Sequence, residues 1–518
     1  MSKILKWLVV ILIFSIGGYM LAEWKMKHEI ISFLERKVPD HINFSYDELA
    51  INLLEGNIAF TDVAVVSLGK QTSSCEIRVN ANELSIEGFS YWKILFQKSV
   101  HIKTLTLSTP HLHFKTCPKD PNNVVANKSN PINLLKEIFV EELKFESGVV
   151  EIWDANEEIE LISVASLGLH LKDVATDPET ITKYVPFTFS NYKIEITQFK
   201  APLGEYENLQ MASLVMNNSS IDMTDISLLT KYSKAELSKQ ITYERDHVSL
   251  TIPAISINDH NYVANKDSLQ INFKEVKLIE PNLEIYRDKS PLEDFSTKPL
   301  YGTLLRRLPF IIAIDTILIQ QGTIVYKEDA PNNVKAGALR FTNLNADINN
   351  LSNLKTVNNT VNIKLNANLM DAGALHLDWK FKVNDPHDSF LISGKLSNFY
   401  TEKLNDFLVP NLRTQTTGTI EQLYFTISGD EYTSSGDIKM RYEDFKFQLL
   451  NKERNGVKKV LSFIGNLFVN DGSKADENGF RYGTISVERT QHKSFFNYLW
   501  INLQDGLVDV LTSNGKKE

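Results

Sequence analysis

Residues 361–385, "VNIKLNANLMDAGALHLDWKFKVND", alternate apolar and polar on both sides of a break at Asp371, Ala372 and Gly373. Ile363, Leu365 and Leu369, then Leu375, Leu377, Trp379 and Phe381, fall on one side. Asn362, Lys364, Asn366, His376 and Lys380 fall on the other. Successive side chains of a strand point to opposite faces, so the pattern predicts a β-hairpin with one apolar and one polar face. The apolar face has to be covered by a helix, a second sheet or something that is not protein.

The same texture runs from about residue 40 to about Tyr442. Short segments rich in Ile, Leu, Val, Phe and Thr are punctuated by Asn, Asp, Gly and Pro, which reads as strands and turns. Few windows there read as helix: "INLLKEIFVEEL" at 132–143, "TDISLLTKYSKAELSKQ" at 224–240 and "TEKLNDFLVP" at 401–410. No alternation of strand and helix is present, which argues against a doubly wound enzyme fold.

Aligning the strands exposes a duplication. "VHIKTLTLSTPHLHF" precedes "VEELKFESGVVEIWD", and much later "FKEVKLIEPNLEIYRD" precedes "IAIDTILIQQGTIVYKED". Each copy has a strand ending at a proline (Pro110, Pro281), a short second strand, a gap, then a strand holding a glycine (Gly148, Gly322). Each ends on an aromatic–acidic pair, Trp153 with Asp154 or Tyr326 with Glu328. Proline cannot donate to a ladder, so it marks an edge or a bend. A repeated β-unit points to an extended, repetitive sheet.

The two ends differ from this middle. Residues 7–22, "WLVVILIFSIGGYMLA", carry no charge and lie between Lys6 and Glu23. That is short against the ~17–25 residues of a spanning helix, but flanking Lys and Trp extend its reach. The expectation is an uncleaved anchor contacting lipid through Trp7, Leu8, Ile11, Phe14 and Leu21. A cleaved signal peptide is the alternative, although Met20 stands where a small residue is wanted. A short helix, "EWKMKHEIISFLERKV", follows up to Pro39. At the other end, "NKERNGVKKVLSFIGNLFVND" and "SFFNYLWINLQDGLVDVLTSN" read as amphipathic helices. In the second, Phe496, Trp500, Leu503 and Leu507 form an apolar stripe, with Asn502, Asp505 and Asp509 elsewhere. Such a pair either packs on the end of the sheet or plugs an open end.

Composition and charge exclude more than they assign. A net charge of −9 without a basic stripe argues against nucleic-acid binding. Cys75 and Cys117 cannot make a disulfide framework; one bridge or two separate thiols both remain open. No nucleophile elbow, phosphate-binding loop, H-E-x-x-H or C-x-x-C occurs. His111 and His113, with Cys117 nearby, are read as surface side chains rather than as a metal site. The expectation is a protein that is not an enzyme and has neither cofactor nor metal.

The chain resembles the AsmA-like family of bacterial envelope proteins. The resemblance rests on the basic, apolar start, on "YDELAINLLEGNIAFTDVAVVS" and on "ANELSIEGFSYWKILFQKSVHIKTLTLSTPHLHF", with Trp92, Leu95 and Pro110. It rests also on "TTGTIEQLYFTISGDEYTSSGDIKMRYEDFKFQLL", with Gly418, Gly429 and Gly436 at the bends. Such proteins are similar to chorein-type bridge proteins, built as a long, strongly curved sheet around a hydrophobic groove that holds phospholipid. The resemblance implies a mostly β, antiparallel groove protein with an N-terminal transmembrane helix and C-terminal amphipathic helices. It implies a single pass through the inner membrane, the bulk of the chain in the periplasm, and contact with envelope proteins at the groove ends. The expected organisation is an anchor at 1–24, β-groove units at 25–190 and 191–350, closing hairpins at 351–450 and a helical cap at 451–518. Ile363, Leu365, Leu369, Leu375, Leu377, Trp379 and Phe381 would line the groove. The alternative is a structural or assembly factor for outer-membrane proteins, with a dry β-sandwich core and no lipid cargo.

Overall fold

A computed structural model describes residues 3–37, 42–68, 76–91, 93, 99–116, 137–183, 185–265, 268–331, 335–355, 360–450 and 475–512. Among the described residues strands far outweigh helices, so the protein is mostly β, and the 22 strands described there belong to one mixed sheet. The chain divides into two compact units, Met1–Pro202 with Gln210–Ile221, and Leu203–Leu209 with Asp222–Glu518.

The first unit opens on helix α1, Lys3–Lys37. It runs without a break through the apolar stretch and the short helix expected after it. Strands β1 (Ile42–Ser45), β2 (Glu48–Asn52), β3 (Asn57–Leu68), β4 (Glu76–Glu87), β5 (Val100–Ser108), β6 (His111–Lys115), β7 (Ile138–Trp153), β8 (Glu160–Thr176) and β9 (Asn191–Leu203) follow. Met26, Ile30 and Ile31 of α1 pack with Leu49, Ile51, Ile58 and Phe60. Strands β10 (Glu207–Asn217) and β11 (Ser220–Thr230) come next.

The second unit continues with α2 (Lys234–Gln240), β12 (Asp246–Asn265), β13 (Ser268–Ile279), β14 (Asn282–Asp288), α3 (Tyr301–Arg306), β15 (Ile311–Asp329) and β16 (Gly337–Ser352). Then come β17 (Thr360–Leu369), β18 (Gly373–Lys382), β19 (Phe390–Tyr400), α4 (Asn405–Leu412), β20 (Thr414–Gly429), β21 (Thr433–Leu449), β22 (Arg481–Glu488) and α5 (Phe495–Thr512). Ser233 and Glu236 form a reciprocal cap that starts α2. The predicted hairpin is β17–β18, with Leu365 opposite Leu377.

The duplication reappears as one arrangement built twice. β5 and β6 both run parallel to β7, and both pair antiparallel with β4. β13 and β14 repeat this between β12 and β15. Val100 faces Ile138 and His111 faces Val149, so the register carries through Pro110 unchanged and sets Pro110 opposite Gly148. Pro281 meets Gly322 in the same way. Proline has no N–H to give the ladder, but its carbonyl still accepts, from Val149 at Pro110 and from Thr323 at Pro281, each at 2.8 Å. A Cβ on Gly148 would come within 3.1 Å of the Pro110 ring, and on Gly322 within 3.2 Å of Pro281. Thr109 and Ser147, and Glu280 and Gln321, are all left-handed, so each site is a two-strand kink.

Three expectations are corrected. The sheet is mixed rather than antiparallel, because each proline-broken strand returns beside a parallel partner and needs a crossover. The described part of the 132–143 window is not helical: Ile138, Phe139, Val140 and Leu143 lie in β7, where β-branched residues continue a period-two pattern, and 132–136 lie outside the described residues. In the 224–240 window only α2 is helical, and the part before it belongs to β11. The 401–410 window is helical as read, a 3-10 turn running into α4.

Candidate functional site

Register assembles the apolar residues into rows that cross the strands. In the first unit one row is Leu84, Leu107, Phe145, Leu169 and Ile194. Another is Ile77, Phe114, Ile152 and Ile162. Between them lie Val79, Leu112 and Val150. All are half-buried or, in the case of Ile77, exposed (45%). Among the described residues no helix packs extensively on β4–β9. One end of this face is closed by Phe187 and Tyr192 over Ile102, Val140, Leu171 and Val174. The opposite face carries charge: Lys144 with Glu142 at 2.8 Å, and His111 and His113 at 3.4 and 3.6 Å from Glu151. The hydrogen bond from Lys144 holds the Glu142 carboxyl below its ordinary range.

The hairpin face looks different. The seven residues expected to line a groove do share one face of β17–β18. Leu365 packs with Leu344, Ala346 and Ala367. Ile363, Leu369, Leu375 and Leu377 stay half-buried against the largest buried cluster. Trp379 and Phe381 are covered by protein. The Trp379 ring stacks on Phe495 of α5, centroids 4.8 Å apart, and meets Tyr301 of α3 edge-on at 5.4 Å. Phe381 is 8% exposed. Leu300, Tyr301, Phe390 and Phe495 line a small cavity beside them, and the Trp379 indole N–H finds no acceptor among the described residues.

α5 docks on β21 and β22, but through a stripe other than the expected one. Phe495, Tyr498, Asn502, Gly506 and Val510 are buried, whereas Phe496 is 62% exposed. Trp500, Leu503 and Leu507 flank the contact half-buried. Apolar periodicity missed the stripe because two of its members are not apolar. Asn502 is satisfied inside, accepting from Ser434 Oγ at 2.7 Å and donating to the Tyr498 carbonyl at 2.8 Å. Gly506 lets the helix approach; a Cβ there would lie 2.7 Å from Ile485 and 2.8 Å from Ile438. Asp505 and Asp509 take the backbone N–H groups of Ser486 (2.9 Å) and Thr484 (2.7 Å), so α5 caps the edge strand β22 with carboxylates.

Of the expected anchor residues, Trp7, Leu8, Ile11 and Phe14 have side chains outside the described residues, and Leu21 is 68% exposed. Leu12, Ile16, Met20 and Trp24 of α1 are also exposed. Among the described residues no helix is long and apolar enough to cross a membrane. The first amphipathic tail segment, Trp92, Leu95, Cys75 and Cys117 lie outside the described residues.

Sequence reading missed the second crossover, where Leu300 and Tyr301 join the cover over Trp379. It missed too a charged row at one end of the second unit's apolar face. Asp246, Arg287 and Glu328 lie side by side on β12, β14 and β15. Arg287 donates to both Asp246 oxygens, at 2.8 and 2.7 Å. The Tyr326 hydroxyl donates to Glu328 at 2.7 Å; burial, with Glu328 beside it, pushes the phenol far above its ordinary value. A residue-by-residue comparison of the two copies would have flagged this row. No family model and no curated protein matches the sequence.

Proposed function

We propose that this is a membrane-anchored envelope protein of the AsmA-like kind, which holds phospholipid acyl chains along the apolar rows of its sheet and contributes to lipid transport or outer-membrane biogenesis. The observation that carries the reading is the half-buried state of the rows through Leu107, Phe145 and Ile152, over which no helix packs extensively among the described residues. Contiguous apolar surface of this kind marks a binding or membrane surface. Exposed Leu12, Ile16, Met20, Leu21 and Trp24 on α1 fit an inner-membrane anchor with the sheet in the periplasm. The groove itself, phospholipid as cargo, and envelope proteins docking at its ends belong to this proposal. No chemistry by the chain is required.

The test is direct. The full chain is extracted in mild detergent and its phospholipid is counted by mass spectrometry. A photo-crosslinking residue at Phe145 is expected to capture lipid, and one at Ile427 to capture none. Lipid-free protein, or equal capture at both positions, would count against the reading. The buried face of β19–β22 favours a second reading, a non-enzymatic assembly factor with a dry core, and lipid-free protein is what it predicts.

A further inference from the structure

We propose that the row Asp246, Arg287 and Glu328 seats the headgroup of a zwitterionic, ethanolamine-type phospholipid whose chains lie on the adjoining apolar rows; this rests on the lipid reading above. The row stands one step from apolar surface. Immediately inward lie Val248, Ile285, Tyr326 and Leu339, and then Leu250, Leu283, Ile324 and Phe341. Such a step from apolar to charged within two residues of strand, about 7 Å, matches the join between acyl chains and headgroup.

The charges alternate across the strands as minus, plus, minus. Arg287 spends Nε and Nη2 on Asp246, and its Nη1 has no hydrogen-bond partner among the described residues. That donor is placed for a phosphate oxygen. Glu328 sits on the neighbouring strand, roughly 4.8 Å away, with the Tyr326 ring beside it. A carboxylate next to an aromatic ring suits an ammonium. Phosphate and ammonium two carbons apart are what ethanolamine phosphate presents, free or as a lipid headgroup.

The repeat separates this from a structural ion pair. Position for position, the first copy has Phe114 for Ile285, Ile152 for Tyr326 and Thr116 for Arg287, counting from Pro110 and Gly148 as from Pro281 and Gly322. That copy builds the same strands without an arginine at the rim, so the fold of the unit does not demand one.

The full chain is loaded from vesicles of equal phosphatidylethanolamine and phosphatidylglycerol, and bound headgroups are counted. Wild-type protein is expected to enrich ethanolamine lipid, and the double variant Asp246→Asn/Arg287→Gln to lose roughly tenfold of that preference, the scale of a charge-assisted hydrogen bond, while total lipid stays near wild type. Free phosphoethanolamine is expected not to displace the lipid, since it lacks the chains; full displacement would assign the seat to the free compound. Glu328→Gln keeps the Tyr326 contact and is expected to lower the preference too, a check that survives if the double variant unfolds. Unchanged headgroup ratios in folded variants overturn the seat alone. Wild-type protein that takes up neither lipid overturns the lipid reading with it.

Discussion

Strands β4–β9 and strands β17–β22 share one alternating pattern and end in opposite states. In the first set the rows read Leu84, Leu107, Phe145, Leu169, Ile194, with large side chains at every step. In the second a row reads Leu365, Leu377, Gly394, Phe425, Ile438, Gly483. Glycine recurs there beside large neighbours: a Cβ at Gly394 would lie 2.2 Å from the Phe425 ring, and at Gly483 2.7 Å from the Val510 amide of α5. Interleaved large and small residues let a second layer settle to full packing density. A row of uniformly large side chains gives a covering helix no recess to enter. The difference teaches that an apolar face is finished as core by its small residues, and that a face without them is free to meet another kind of cover.

The comparison breaks most sharply on a buried charge. Ile427 is 0% exposed, so Ile427→Asp strands a carboxylate in packed core. A loss on the order of 4 kcal/mol or more is expected, enough to unfold a marginal protein. Phe145→Asp should cost no more than about 2 kcal/mol, because the half-exposed site leaves the carboxylate water. Thermal unfolding of both variants decides; equal losses would mean that β4–β9 are as dry as β19–β22.

Next in size is Trp379→Ala. It removes the stack on Phe495 and the edge contact with Tyr301, and a fall of about 3 kcal/mol in unfolding free energy is expected. A fall below about 1 kcal/mol, the size of a surface change, would mean that α3 and α5 do not hold this face shut. Asp509→Ala follows. It strips the acceptor from the Thr484 N–H on the edge of β22, at about 1–2 kcal/mol. Hydrogen exchange should then quicken at Thr484 while Ser486, held by Asp505, stays protected. Uniform exchange along β22 would remove the carboxylate cap from the account.

The smallest effect lies on the polar side. Burial tends to raise the Glu284 carboxyl, but hydrogen bonds from Lys234 and Lys327, both at 2.6 Å, win and hold it below its ordinary 4.5. A depressed carboxyl contributes stability that is fully present above its unfolded value and is lost as pH falls through the folded one. Glu284→Gln should therefore lower the melting temperature slightly at pH 7, and the gap should narrow as pH falls below 4.5 and vanish once the folded carboxyl is protonated. A gap independent of pH would assign the effect to packing.

Much of the architecture was legible in the sequence. Period two gave the strands and the hairpin at β17–β18, and the proline–glycine order gave a duplication that the register reproduces. Two kinds of residue were not legible. Asn502 of α5 read as polar face and Gly506 drew no reading, yet both form the contact, because a buried amide can be satisfied by partners inside and close packing needs an absent side chain. Arg287 drew no reading, because one charge at the end of a short strand carries no local signal of its partners Asp246 and Glu328, which strand pairing alone brings beside it.

The sequence by itself determined which residues alternate, and so which side chains can share a face: that information is local, set by the two-residue period of a strand. Which faces are covered was decided only by the tertiary structure. Cover depends on residues far apart in the chain, such as Tyr301, Trp379 and Phe495, arriving at one place. It depends also on whether the rows between them leave room. Register sets both, and register is a property of paired strands that no single segment carries.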